Sequence, residues 1–431
     1  MTRGAARSLA GRWGGRDGLA FGAAVLFAFC MYSSVVNLWP ALGPLRPALL
    51  TCAVAAAALV ARRVFRREKL GIDGWRGFCL LAVCVMCFMS QGWSVAPKVT
   101  HVYAQELAKD AACYLVLVYV VTNATRLRWI LSAAALGGLA PAWYSFQNYL
   151  TGTDLVEGTR ARWVGIYLDP NHMAMAMVFL VPVAIALILM GNVFERILGV
   201  ASLLGSVTAV VVSGSRGGAL GMGFAVLVWA VREKYRVRAL TALGVLLALF
   251  LALSPKSFWN RTDTIADYHE DVSAQGRVHA WEVARAINED RPLLGVGGGA
   301  FLEAWPHYAP VEARHEAFVA HNVFLAMLGE LGWVGFFLFL FFASSALATG
   351  YRASRAPVAG PWIRAVFAGA CGYMLCDMSA AYVTSAHFFF IFGVLAATGG
   401  IWAFEAGQSE LLQARVCDEP SGAPLAREGA A

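Results

Sequence analysis

Residues 320–342 read AHNVFLAMLGELGWVGFFLFLFF. From Val323 to Phe342 the only ionisable side chain is Glu330, and about 18–20 apolar residues suffice to cross a bilayer as a helix. Gly329, Gly332 and Gly335 add a small-residue strip suited to close helix packing. Just before this run stands His321-Asn322, and before that a charged, water-compatible segment, roughly 255–317. A titratable imidazole at the edge of a hydrocarbon-spanning segment is a functional candidate by default.

The rest of the chain repeats the pattern. Of 431 residues 59% are hydrophobic, above the roughly 45–50% of soluble domains, and the mean hydropathy is +0.61. The fold expected is an all-α polytopic membrane protein of about twelve transmembrane helices with one large, partly helical periplasmic loop. The spans are placed at 18–38, 45–61, 74–90, 110–123, 129–149, 173–190, 196–212, 217–231, 239–254, 319–349, 361–382 and 386–404. Domain limits follow: 1–254 for nine spans with short loops, 255–317 for the large loop, 318–406 for three further spans, and 407–431 for a polar, disordered tail. The first apolar run lacks a small-residue cleavage site, so it reads as a retained span.

Lys and Arg in the short connections set the orientation. With the N-terminus cytoplasmic, the clusters Arg62-Arg63 and Arg66-Arg67, Arg126 and Arg128, Arg196, Arg232 to Arg238, and Arg352, Arg355 and Arg364 all fall inside. Both termini are then cytoplasmic. The net charge of +7 is a topology and membrane-lipid signal and implies no nucleic acid. Eight of the nine cysteines fall in spans, with Cys417 in the tail. Cys84 and Cys87 form a mid-span CxxC without partner ligands, so packing is expected and neither disulfide nor zinc.

Five outward features remain after that sorting. Arg160 and Arg162 precede VGIYLDPNHMAMAM, where Asp169 or Asn171 could cap a helix. The turn SGSRGG, residues 213–218, carries Arg216 on the side where positive-inside bias does not place it; a snorkelling side chain is the plain alternative. In GRVHAWEVARAINED, Val278, Trp281, Ala284 and Ile287 suggest a narrow apolar stripe, while Arg277 and Arg285 project from nearly one side. The glycines 295 and 297–299 that follow could present N–H groups to an anion, or simply form a flexible loop. His321-Asn322 begins a helix, whose dipole favours a neutral imidazole able to act as a general base. Asp377, in CGYMLCDMSAAYVTSAHFFF, needs a cation or donor partner, which could be His321 or an arginine.

The large loop holds ten acids against six bases, so its arginines are not a generic basic patch. Guanidinium forks match phosphate oxygens, and several on one face suit the diphosphate of a lipid-linked substrate. No outward acidic or histidine cluster has metal-ligand spacing, so the expected reaction uses no metal and no cofactor.

These residues resemble a known family. GSRGG after a span, GRVHAWEVARAINEDRPLLGVGGGAF, AHNVFLAMLGELGWVGFFLFL and the earlier RARWVGIYLDPNHMAMAM look like motifs of the O-antigen ligase and polymerase superfamily, over about residues 160–340. The resemblance implies transfer of a glycan from an undecaprenyl-diphosphate-linked O-antigen donor, at the periplasmic face of the bacterial inner membrane, to a lipid A–core acceptor. It implies His321, Arg216 and Arg277 as catalytic residues, with Arg162 and, as a weaker match, Asp377 on the substrates; Arg160, Arg285 and Asn322 join them as substrate-binding candidates from the reading of the outward residues themselves. Arg162 has the family's spacing to Gly165, and His172 departs from its pattern. A polymerase and a protein O-oligosaccharyltransferase share the architecture. A transporter or flippase for a lipid-linked glycan is a different class, and would call for repeated halves with charges near mid-membrane.

Overall fold

A computed structural model of the chain describes residues 18–68, 71–233, 272–380 and 384–418, with isolated positions between 237 and 252; for 272–274 and 410–418 it describes the backbone alone. Thirteen principal helices follow in order: α1 Gly18–Ser33, α2 Pro47–Phe65, α3 Gly74–Met89, α4 Pro97–Val120, α5 Ala124–Thr151, α6 Pro170–Met190, α7 Val193–Val212, α8 Arg216–Arg232, α9 Val272–Asp290, α10 Phe301–Tyr308, α11 Val323–Ala353, α12 Gly360–Asp377 and α13 Ala386–Asp418. No strand occurs among the described residues; one isolated bridge pairs Val156 with Arg160. The architecture is an all-α membrane bundle. Six described helices are long and apolar enough to cross a bilayer, with Gly18–Ser33 as a shorter apolar helix. The ninth expected span, 239–254, lies outside the described residues apart from isolated positions.

The helix α6 forms the centre, with apolar residues from Met173 to Leu187 buried all round its axis. A helix apolar on every side belongs inside a bundle. Close approach comes from small residues, since lipid offers no hydrophobic force between helices. Gly221 of α8 and Gly372 of α12 face one another: a Cβ on the first would lie 2.8 Å from the Gly372 carbonyl oxygen, and on the second 2.6 Å from that of Gly221. Gly369 meets the Phe179 carbonyl of α6 in the same way, at 2.8 Å.

The two ends of the bundle differ in chemistry. One end gathers the basic connections. Arg128 pairs with Glu195 at 2.5 Å, Arg364 with Glu233 at 2.9 Å, and Arg76 reaches both Asp73 and Thr349. Arg232 lies 4.1 Å over the Tyr351 ring. The candidate site sits at the other end.

Several elements depart from the expected pattern. The fourth span was expected at 110–123, yet α4 begins at Pro97 and carries Lys98, Glu106, Lys109 and Asp110. Hydropathy detects only the inner half of such a helix, because hydrogen bonding propagates through its polar half regardless of composition. The final helix runs to Asp418, through residues expected in the tail; its Glu, Leu, Gln, Ala and Arg are good helix formers. On α9 the buried face is Ala280, Val283, Ala284 and Ile287, whereas Val278 and Trp281 are 38% and 45% exposed. A strict three-residue series drifts around the axis, and the i, i+3, i+4, i+7 set stays on one face.

The largest departure is in α11, which is broken. Gly332 has φ 62° and ψ −167°, so two helical segments meet there. The glycine-rich loop after α9 fills the break. Val296 and Gly297 donate to the carbonyls of Gly329 and Glu330, at 3.0 and 2.9 Å. In return Trp333 and Val334 donate to the carbonyls of Pro292 and Leu293, at 2.8 and 3.5 Å. Gly299 N–H donates to Glu330 Oε2 at 2.8 Å. A membrane helix can open only where other protein groups satisfy its backbone, and here a loop does so. Three of the loop's N–H groups are therefore occupied by α11, which removes them from an anion-binding turn. The same loop is tied to α3 and its exit, where Gly298 N–H donates to Ser90 Oγ at 3.1 Å and Val95 N–H to the Val296 carbonyl at 3.0 Å.

Candidate active site

The helix α6 starts in the middle of the site. Asp169 caps it, accepting from the N–H groups of Asn171 at 2.6 Å and His172 at 3.4 Å, with Pro170 in the first turn. Proline fits there because its missing N–H has no helical partner anyway.

Asn171 is the hub. Its Oδ1 accepts from Arg160 Nη2 at 2.7 Å and from Ser215 Oγ at 2.9 Å. Arg160 is buried, and its Nε also donates to the Ser213 carbonyl at 3.0 Å. Gly214, with φ 60°, lets the Arg160 side chain lie across the turn; a Cβ there would sit 3.3 Å from Arg160 Cγ. Ser215 caps α8, accepting from Gly218 N–H at 3.1 Å. Arg160 is thus held between two turns from distant parts of the chain, which makes it a strut for the site.

Arg216 is the first residue of α8. Beside it, Gly217 packs on the end of α12: its carbonyl accepts from Cys376 Sγ at 3.3 Å, and Ser379 crowds its Cα. Asp377, the last residue of α12, is fully buried in this turn. Arg162 lies at the margin, donating through Nη1 to the Leu168 carbonyl at 3.0 Å while its own carbonyl accepts from Asn148 at 2.9 Å.

His172 ties α6 to the start of α13. Its Nε2 lies 2.9 Å from Ser385 Oγ, and Tyr373 O–H donates to that same oxygen at 3.2 Å. Behind it lies His387, fully buried, with the two imidazole centroids 5.3 Å apart and the Tyr167 hydroxyl oxygen 3.1 Å from its Nε2. The departure from the family's pattern at His172 is thus a tie between two helices.

His321 and Arg277 complete the group. Asn322 caps α11, accepting from Phe324 N–H at 2.9 Å and Leu325 N–H at 3.2 Å. His321 precedes it with φ 47°, a left-handed conformation that costs a non-glycine residue roughly 1–3 kcal/mol and collects at functional sites. Burial, together with the positive charge of Arg277, lowers the His321 pKa to about 4, against the opposing charge of Asp169. The imidazole is therefore neutral at physiological pH and lies in electrostatic reach of both α9 and the α6 cap.

Arg285 stands apart, with its side chain 78% exposed and paired with Glu289 at 3.3 Å. Sequence reasoning missed Ser215 and the role of Asn171. The signal was a pair of helix starts, DPN and SGS, which look like ordinary caps until the fold joins them. An apolar groove of about 350 Å³ opens beside Asn322, lined by Trp281, Phe324, Leu325, Leu328 and Phe336.

Residues 200–340 match the family model described as O-antigen ligase. Over this segment, about a third of its length, the chain is similar to that family. The matched segment holds Arg216, Arg277 and His321, while Arg160, Asn171, His172 and Asp377 lie outside it. No curated protein sequence matches the chain. Among solved structures, a chain from work described as "Structural coordination of polymerization and crosslinking by a peptidoglycan synthase complex" is 16% identical with a TM-score of 0.42, covering 79% of this chain and 99% of that one. A superposition that loose transfers neither residues nor activity.

Proposed function

We propose that this membrane glycosyltransferase is a ligase, which moves O-antigen polysaccharide from undecaprenyl diphosphate onto lipid A–core at the periplasmic face of the inner membrane. The carrying observation is the convergence of Arg277, the neutral His321 and the Arg160–Asn171–Ser215 hub at the end of the bundle opposite the arginine-rich connections. On this reading the chain crosses twelve times with both termini cytoplasmic, and 255–317 is the periplasmic loop. The apolar groove beside Asn322 suits hydrocarbon, in keeping with a lipid-borne substrate.

In the reaction, Arg216 and Arg277 bind the donor diphosphate, with Arg162 at its edge. The acceptor hydroxyl oxygen attacks the anomeric carbon as the bond to the diphosphate oxygen breaks with its electron pair. The hydroxyl proton passes to His321, and the single displacement inverts the anomeric configuration. A diphosphate needs its developing charge stabilised more than it needs a proton, which fits a site with several guanidinium groups and one base. The reaction requires neither metal nor cofactor.

Reconstitution in vesicles with the lipid-linked donor tests this. Lipid A–core and a second lipid-linked repeat unit are offered separately. Transfer to lipid A–core with inverted product is expected. Extension of the lipid-linked unit alone would make the protein a polymerase, a retained configuration would remove the single displacement, and loss of activity with chelator restored by metal would remove the metal-free chemistry.

A further inference from the structure

Asn171 carries more than a structural tie. Arg160 has donors only and no acceptor, so the Asn171 atom facing its Nη2 at 2.7 Å must be the amide oxygen. The usual ambiguity between the two ends of an asparagine is absent here. The same oxygen also accepts the Ser215 hydroxyl at 2.9 Å, and Ser215 is itself held by the Gly218 N–H. Both lone pairs of Oδ1 are filled by two fixed groups from separate turns. The Nδ2 amino group is then the open end of the side chain, and it has no partner among the described residues. It sits in the first turn of α6, where the helix end carries partial positive charge, two residues from the Asp169 carboxylate that His321 senses.

We propose that Asn171 is a substrate-contacting residue whose Nδ2 donates to the diphosphate of the glycan donor, with Arg160 and Ser215 as the positioning residues that aim it. This deepens the reading of the site as one that breaks a glycosyl–diphosphate bond, and it rests on that reading. The donor is oriented before the reaction and needs no reorganisation as charge moves onto the leaving oxygen, the condition under which such groups contribute most. It also divides the labour among the cations. The buried Arg160 acts on substrate only through Asn171, while Arg216 and Arg277 meet the phosphates.

Asn171→Asp isolates this role. A carboxylate keeps the shape and keeps accepting from Arg160 and Ser215. A negative charge in the first turn of a helix is favourable, so fold and melting temperature are retained or improved. Only the donor is lost, replaced by an anion facing phosphate. Inorganic pyrophosphate binding by the full chain in detergent and transfer from the lipid-linked donor in vesicles are both measured. Asn171→Asp is expected to weaken pyrophosphate binding by at least about tenfold and to lower kcat by about 10²-fold, with an unchanged melting curve. Asn171→Ala, which removes the donor without adding charge, weakens binding less than Asp does. Wild-type pyrophosphate affinity and wild-type kcat in Asn171→Asp overturn the assignment, as does equal loss in both variants with a lowered melting temperature, the signature of a purely structural residue. If the wild-type chain binds pyrophosphate and transfers nothing, the functional reading falls while the binding difference still decides Asn171. If it does neither, both fall.

Discussion

His321 is neutral because it is buried beside Arg277, and both causes act on the imidazolium form. A histidine in an unfolded chain titrates near 6.5, while here the pKa is about 4. Between those values the unfolded chain binds the extra proton, so this group's contribution to stability is lost as pH falls from about 6.5 towards 4. Activity follows the same group. The acid limb of kcat/KM is expected near pH 4, and a limb near 6.5 that disappears in a His321 variant would contradict the assigned environment. Arg277→Gln removes one of the two lowering causes, so the limb moves up even though the rate drops; the test is the position of the limb and not its height. Arg285 gives the opposite expectation. Exposed pairs such as Arg285–Glu289 contribute little, so Arg285→Ala keeps transfer within about twofold, and a tenfold loss would bring Arg285 back into the site.

Among elements, α11 and the glycine-rich loop hold each other in place. A Cβ at Gly332 would meet the Leu294 nitrogen at 2.5 Å, at a backbone conformation that side chains avoid. Gly332→Ala is expected to cost at least about 1–3 kcal/mol from strain alone, visible as a lower melting temperature in detergent and as reduced transfer from the displaced His321 segment. A melting curve identical to wild type would mean that the helix can close without the loop. The apolar run of α11 shows in the sequence as a span, and the start of α6 shows too, with Asp169 or Asn171 as its cap. The break does not, because its partners are backbone groups of residues 292–297 and backbone bonding leaves no side-chain pattern. The glycines of that loop were visible, but their purpose depended on a helix some thirty residues away. Arg160 shows the same limit: its charge was legible as a phosphate ligand, and only the packing of two turns revealed that it grips Asn171 and the Ser213 carbonyl.

For the whole molecule, the Gly221–Gly372 contact sets how closely α8 and α12 pack, and with it the distance between Arg216 and the α12 end bearing Asp377. Gly372→Val is expected to lower both yield and melting temperature, read by size-exclusion and thermal unfolding, and to reduce transfer in the folded fraction. Orientation is checked on intact cells. A cysteine at Val311, 69% exposed, is expected to react with a membrane-impermeant maleimide, and one at Phe65, 88% exposed, only after lysis. The reverse pattern would put the site on the other side of the membrane. Hydropathy made the helical bundle readable, since it depends on local composition. The meeting of α6, α8, α12 and α13 around one asparagine depends on contacts across the fold.

The broken helix also constrains how this protein can be recombined with others. Because the loop at residues 292–299 completes the backbone of residues 329–334, it is not a detachable cassette. A chimera that grafts only the outer loop onto a foreign scaffold would leave four of its backbone groups without their α11 partners, whereas one that carries the loop together with the whole of α11 and the exit of α3 keeps the interlock intact.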